Sequence, residues 1–200
     1  MNRTRLGVLL SGSGRSLQNL LDRAKDGRLA ADVVCVVSDR PDVAGIDRAR
    51  TAGLPVLVER DADRVYAFLR EHGVELICLA GYLRLFPIAD DFRGRVLNIH
   101  PSLLPKFGGK GFYGDRVHRA VLAAGESESG CTVHHADDRY DEGAPLVQRR
   151  VPVLPQDDVH TLAARVFEAE CEAYPEAIAR WAADHAIGGG GRISPQPPIC

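Results

Sequence analysis

Residues 5–16 read RLGVLLSGSGRS, an apolar run that ends in a turn containing two glycines. After this turn, apolar side chains recur at helical spacing as far as Gly27. A buried strand joined through a glycine turn to a helix is the first unit of a parallel α/β sheet. The stretch therefore predicts a first strand at residues 5–10 and a first helix directly after the turn.

The same alternation continues to residue 99. Strands are predicted at 32–38, 55–58, 76–80 and 95–99, helices at 41–52 and 63–71, and a helical turn at 87–92. The continuous β-branched and apolar composition of these strands is typical of a sheet that is covered on both faces. The predicted fold class is α/β: a Rossmann-like, mainly parallel twisted sheet with helices on both faces.

The second half of the chain has a different pattern. Residues 106–115 include four glycines, which favours a mobile active-site loop. A helix is predicted at 116–124, antiparallel strands at 132–135 and 145–151, and a long helix at 157–184 that Pro175 should kink. Glycine and proline dominate residues 188–200, so we expect a catalytic domain at 1–187 followed by a flexible tail.

Composition narrows the class of protein. A net charge of −2 gives no basic excess for nucleic acid, and no apolar run is long enough to span a membrane. The apolar stretch near the N-terminus is short and leads directly into a glycine turn, which is typical of a first strand and not of a signal peptide. Five cysteines at spacings that match no metal motif indicate reduced thiols and no bound metal. We expect a cytoplasmic protein.

Residues 97–105 read LNIHPSLLP and place an amide and an imidazole together. Asn98 and His100 are two residues apart at the end of a predicted strand, so both side chains project to the same side. One group can hydrogen-bond a developing oxyanion while the other moves a proton, which favours acyl-type transfer. A strand end whose polar residues only cap a turn is the simpler alternative.

Two further segments carry weaker signals. The glycine turn at 11–16 presents backbone N–H groups at a helix start, where anions bind. It lacks both the third glycine of a dinucleotide fingerprint and the Walker lysine, so a monophosphate ester fits best, although such turns often bind nothing. The acidic segment 137–141 could supply a carboxylate to an imidazole, or could be a solvated turn.

Together these motifs resemble the folate-dependent formyltransferases, and within them the phosphoribosylglycinamide formyltransferase family. The resemblance covers about residues 5–182 and includes the glycine turn, LAGYLR at 79–84, the 98–105 segment, GCTVH at 130–134 and DEG at 141–143. It implies transfer of the formyl group of 10-formyltetrahydrofolate to the amine of 5'-phosphoribosylglycinamide, in purine biosynthesis. The implied partners are these small molecules, with no nucleic acid or membrane, and the implied state is a monomer or weak homodimer.

The resemblance also implies roles for individual residues. The catalytic residues would be Asn98, His100 and Asp141. The nucleotide would be held by Gly14, Arg15, Ser16, Phe167 and Glu170. The folate pocket would be lined by Leu83, Arg84, Leu85, Phe86, Asn98, Asp137 and Asp141, with one more arginine from upstream, Arg64 or, alternatively, Arg60. We expect His118 at the surface and one of His134 and His135 near the site.

Three other functions differ from this one in domain organisation or in the residues that they require. Methionyl-tRNA formyltransferases share the chemistry but carry a C-terminal RNA-binding domain, where we expect only the tail here. Formyltetrahydrofolate deformylases have a regulatory domain before the catalytic one, whereas here the first strand is expected from residue 5. A non-catalytic nucleotide-binding module of Rossmann type would not need the Asn98, His100 and Asp141 combination.

Overall fold

The computed structural model describes residues 3–187, so the predicted tail at 188–200 lies outside the described residues. The strands are β1 Thr4–Leu10, β2 Ala31–Ser38, β3 Val56–Val58, β4 Leu76–Leu79, β5 Val96–His100, β6 Glu128–His135 and β7 Pro145–Pro152. The helices are α1 Arg15–Lys25, α2 Ala44–Thr51, α3 Ala62–Glu71, α4 Asp115–Ala123 and α5 Val159–Ile187, with a 3₁₀ turn at Asp90–Phe92.

All seven strands form one sheet in the order β3-β2-β1-β4-β5-β6-β7. Strands β1 to β5 pair in parallel, β6 pairs antiparallel to β5, and β7 pairs antiparallel to β6. This confirms the predicted mainly parallel sheet and the antiparallel pairing in the second half. The chain order reverses between β1 and β4, and ligands of open α/β sheets bind outside the carboxyl ends of the strands at such a switch point.

Apolar side chains cover both faces of the sheet, as the continuous apolar strands predict. One layer joins the sheet to α1, α4 and α5 and includes Leu17, Val117 and Val166. The other layer joins it to α3 and the segment after β4, and includes Tyr66 and Phe86. Since a strand buried on both faces has little freedom to shift its register, the carboxyl ends of β1, β4 and β5 are fixed relative to one another.

Helix α5 is tied to the centre of the sheet by one hydroxyl group. Tyr174 is buried, and its hydroxyl lies 3.1 Å from the carbonyl oxygen of Leu79 and 3.0 Å from that of Leu97. These carbonyls belong to β4 and β5, and Leu97 immediately precedes Asn98. The helix continues through Pro175 as a single element of 29 residues. Its position against the strand that carries the predicted catalytic residues is therefore fixed by a specific polar contact.

The cysteines of the described residues are free thiols. Cys35, Cys78 and Cys131 are buried, and burial raises the pKa of each of these thiols to about 12. They are protonated at neutral pH and pack as small apolar side chains. Within residues 3–187, no helix combines the length and the apolar character that crossing a membrane requires.

Removing the Tyr174 hydroxyl tests the tie between α5 and the sheet. Tyr174→Phe leaves two buried carbonyl oxygens without this donor, so we expect the free energy of unfolding to fall by about 1–2 kcal/mol. Urea denaturation followed by circular dichroism measures the change. Tyr113→Phe, at a side chain that is 39% exposed, is the control and should leave stability unchanged. Equal stability of both variants would contradict the contact.

Candidate active site

A cavity of about 580 Å³ opens at the carboxyl ends of β1, β4 and β5. Its lining includes thirteen of the residues predicted from the sequence: Gly14, Arg15, Ser16, Leu83, Arg84, Leu85, Phe86, Asn98, His100, Asp137, Asp141, Phe167 and Glu170. The glycine turn contributes one wall, α5 a second, and the segments after β4 and β6 a third. Residues far apart in the chain thus meet at the edge of the sheet where the strand topology predicts a ligand.

A single carboxylate joins the predicted catalytic side chains. Asp141 Oδ2 lies 3.3 Å from His100 Nδ1, and Asp141 Oδ1 accepts a hydrogen bond of 3.1 Å from Asn98 Nδ2. Asn98 and His100 lie on the same side of β5, as their spacing predicts. The carboxylate, amide and imidazole therefore form one connected polar cluster on the cavity wall.

The backbone around Asp141 is shaped to hold this carboxylate in place. Asp141 itself is in the left-handed region, with φ +58°, and the backbone N–H of Gly109 donates to its Oδ2 at 2.9 Å. A Cβ on Gly143 would lie 1.6 Å from the carbonyl oxygen of His135, so only glycine lets the chain return this close to β6. Burial raises the pKa of Asp141, but the His100 ring that faces Oδ2 and the N–H of Gly109 lower it, so the carboxyl stays ionised.

Both ring nitrogens of His100 face acceptors. Nε2 lies 2.8 Å from the carbonyl oxygen of Phe107, and Nδ1 faces the Asp141 carboxylate. Each contact is a hydrogen bond only when its ring nitrogen carries a proton, so the geometry favours the imidazolium. Burial acts in the opposite direction and lowers the pKa of His100 below its usual value, although Asp141 and the Phe107 carbonyl both raise it. The ring is thus set to give up a proton readily.

The glycine turn forms the opposite end of the cavity. Gly14 has φ +69°, and α1 begins after it with no side-chain cap, which leaves backbone N–H groups for an anion. The guanidinium of Arg15 stacks 4.2 Å from the ring centroid of Phe167 on α5. Burial raises the pKa of the nearby Glu170 to about 7, while Arg15 opposes this rise. A cation and a titratable carboxyl therefore lie beside the glycine turn.

The segment after β4 forms a wall that two other parts of the chain hold. The backbone N–H of Leu83 donates to Ser11 Oγ at 2.9 Å, and that of Leu85 donates to the Tyr140 hydroxyl at 2.9 Å. The side chain of Arg84 is exposed at this wall. The predicted folate-binding segments after β4 and β6 are thus physically joined.

The structure places two predicted arginines away from the cavity and one histidine, expected at the surface, inside it. Neither Arg64 nor Arg60 is among the cavity residues: Arg64 pairs with Glu59 at 3.2 Å, and Arg60 donates to the backbone of Asp39. Their role stays a prediction. The expected surface position of His118 is wrong, because this side chain is only 4% exposed and lines the cavity. The apolar spacing of its helix neighbours Val117 and Val121 is the sequence signal for that buried face.

The site also contains residues that the sequence left without a role. His134 lines the cavity, whereas the next residue, His135, projects from the opposite face of β6. The glycine-rich loop supplies the cavity residues 109–114, including Phe112 and Tyr113, and its role in an active site stays a prediction. Its mobility stays a prediction. The expectation that one of His134 and His135 lies near the site is confirmed for His134. Its contact with Asn98 could not be predicted, because it depends on the pairing register of β5 and β6.

Comparisons with known proteins identify relatives of this chain. Residues 4–178 match the family model described as formyl transferase. The chain is 44% identical to the trifunctional purine biosynthetic protein adenosine-3 of Drosophila melanogaster, covering 97% of this chain and 15% of that protein. It is 40% identical to the chloroplastic phosphoribosylglycinamide formyltransferase of Arabidopsis thaliana, covering 88% of this chain and 64% of that protein. This chain therefore spans less than two thirds of both relatives.

Solved structures agree with these sequence matches. The crystal structure of glycinamide ribonucleotide transformylase 1 from Symbiobacterium toebii has a TM-score of 0.84 at 41% identity, covering 92% of this chain and 89% of that chain. The structure of phosphoribosylglycinamide formyltransferase from Brucella melitensis has a TM-score of 0.81 at 36% identity, covering 96% and 100%. The fold and the arrangement of elements are thus shared over nearly the full length of both proteins.

Neutralising Asp141 tests its charge on His100. The carboxylate raises the pKa of His100, so Asp141→Asn should lower that pKa further below its usual value. A titration of the His100 ring followed by NMR measures the shift. Asp137→Asn removes a carboxylate that lines the cavity without contacting His100, and it should shift the titration less. An unchanged His100 titration in Asp141→Asn would show that the carboxylate only shapes the turn.

Proposed function

Since the chain belongs to the formyl transferase family, we propose that it moves the formyl group of 10-formyltetrahydrofolate to the amine of 5'-phosphoribosylglycinamide. The observation that carries this proposal is that the two ends of the cavity are lined by different kinds of groups. The uncapped glycine turn offers an anion site, and the cluster of Asn98, His100 and Asp141 offers proton chemistry. A substrate with a phosphate at one end and an amine at the other matches both.

At the nucleotide end, we propose that the phosphate binds the backbone N–H groups of Gly14, Arg15 and Ser16. The positive end of α1 favours a negative charge there. Glu170 and Phe167 then face the ribose, since both side chains line the cavity next to Arg15. A carboxylate can accept hydrogen bonds from two neighbouring hydroxyl groups, which suits a ribose and not an apolar ligand.

At the folate end, we propose that the segment 83–86 and Asp137 contact the pterin. The backbone groups of Leu83 and Leu85 are partly engaged by Ser11 and Tyr140, which keeps this wall in place. Phe86 is buried and supports the wall from behind. The wall lies beside the catalytic cluster because it follows β4, the parallel neighbour of β5. A reduced folate bound here presents its formyl group to the amine.

The chemistry we propose is attack of the free amine on the formyl carbon. The tetrahedral intermediate carries an oxyanion, and a protonated His100 donates to it. The bond between the formyl carbon and the folate nitrogen then breaks, and that nitrogen takes the proton of His100. The new amide nitrogen releases one proton, which returns to His100 through solvent, so the ring is an imidazolium again at the end of the reaction. To donate to the substrate, His100 Nε2 must first break its hydrogen bond with the carbonyl oxygen of Phe107. Asp141 stabilises the cation while this exchange takes place.

The reaction itself is the first test. Purified protein should consume 10-formyltetrahydrofolate only when 5'-phosphoribosylglycinamide is present, and should yield the formylated nucleotide by mass spectrometry. Asn98→Ala should keep both substrates bound but lower kcat by about 10²-fold, because a small displacement of reacting groups has an effect of this size. Formate release without the nucleotide would support a deformylase instead. No folate consumption under any condition would support a non-catalytic module.

Gly14→Ala tests the nucleotide end. An alanine Cβ there would lie 2.5 Å from Gly45 Cα, so the turn must shift away from the phosphate. We expect the KM for the nucleotide to rise by roughly tenfold or more, with little change in the KM for folate. Gly53→Ala is the matched control: its φ of +71° imposes the same backbone strain, in open space and outside the cavity. An equal rise in both KM values would contradict the assignment.

A further inference from the structure

His134 pairs directly with Asn98 across the antiparallel strands β5 and β6. Its side chain is 1% exposed and lies on the cavity face of β6. His134 Nε2 is 3.0 Å from Asn98 Nδ2, while its distance to Asp141 Oδ1 is 3.6 Å, too long for a hydrogen bond. The partner of this ring nitrogen is therefore the amide of Asn98.

The backbone determines which ring nitrogen of His134 carries the proton. Nδ1 lies 2.9 Å from the carbonyl oxygen of His135, which can only accept, so Nδ1 is the donor. In the neutral ring, Nε2 then has a free lone pair and accepts from Asn98 Nδ2. The backbone of β6 thus sets the tautomer, and the tautomer sets the orientation of the Asn98 amide.

Both hydrogens of the Asn98 amide nitrogen are used within the protein. One is donated to His134 Nε2 and the other to Asp141 Oδ1 at 3.1 Å. Among the described residues, the side-chain oxygen Oδ1 of Asn98 has no hydrogen-bond donor, and Asn98 lines the cavity. The group that Asn98 offers to a substrate is consequently an acceptor, and the N–H of an attacking amine is the complementary donor.

We propose that His134 is a positioning residue. As its Nδ1–H tautomer it fixes the side-chain amide of Asn98, so that Asn98 Oδ1 orients the attacking amine. The reaction concerned is the proposed formyl transfer, on which this part of the inference rests. His134 acts through Asn98 and does not touch the substrate. An accepted N–H bond also directs the lone pair of the amine, so the orientation affects the rate of attack more than the binding of either substrate.

Kinetics of variants at this position separate positioning from packing. His134→Leu fills the space but removes the acceptor, so kcat should fall by about tenfold or more, while both KM values change little. His134→Gln places an amide oxygen near the former Nε2 and should recover most of kcat. His135→Leu, on the opposite face of the same strand, is the matched control and should keep wild-type kcat. Equal loss in the leucine and glutamine variants would overturn the proposal.

A spectroscopic test on the unmodified protein does not depend on catalysis or on the identity of the substrates. Long-range ¹H–¹⁵N NMR of the histidine rings should find the proton of His134 on Nδ1 and a bare Nε2. A proton on Nε2 would overturn the inference, since no lone pair would then face Asn98. If the protein fails to formylate 5'-phosphoribosylglycinamide but His134 has this tautomer, the proposed function fails while the orientation of Asn98 stands.

Discussion

The arrangement of the site depends on one buried carboxylate. Asp141 receives hydrogen bonds from Asn98 and from the backbone of Gly109, and it faces the ring of His100. These three partners come from β5 and from the glycine-rich loop, while Asp141 lies between β6 and β7. A buried charge of this kind is stable only when its lone pairs are occupied, so each partner is also constrained by it.

Two opposed effects set the protonation of the cluster. Burial lowers the pKa of His100, and the Asp141 carboxylate and the Phe107 carbonyl raise it. Neither effect alone would suit an acid that must both hold and release a proton near neutral pH. For both effects to act on the pKa of His100, the imidazole must be buried and must also lie next to an anion. The structure meets both conditions, because the carbonyl of Phe107 covers Nε2 of His100 while the carboxylate of Asp141 faces Nδ1.

The long helix α5 gives the cavity its far wall. Tyr174 holds it against the carbonyls of β4 and β5, and one or two turns earlier Phe167 and Glu170 face the glycine turn. The stacking of Arg15 on Phe167 then joins the start of α1 to α5. One turn of α5 thus packs on the sheet while the preceding turns line the cavity, which fixes the distance between the glycine turn and the cluster of Asn98, His100 and Asp141.

Local sequence patterns are enough to predict the architecture, and thirteen of the candidate site residues meet in the cavity. Apolar runs, glycine turns and helical spacing are local signals, so they predicted the parallel sheet, the antiparallel strands near the end and the loop at the active site. The two-residue spacing of Asn98 and His100 predicted that they share a side of β5. The family resemblance then implied roles for Asp141, Phe167 and Glu170, which no spacing could indicate.

The contacts between these side chains depend on tertiary packing, which local sequence patterns do not reveal. The tautomer of His134 and the direction of the Asn98 amide follow from the register of β5 with β6 and from the carbonyl of His135. His118 is buried because α4 packs its apolar face on the core, which outweighs the polarity of a single imidazole. Hydrogen-bond direction and net pKa depend on every neighbour within a few ångströms, and those neighbours are set by the packing of strands distant in the chain.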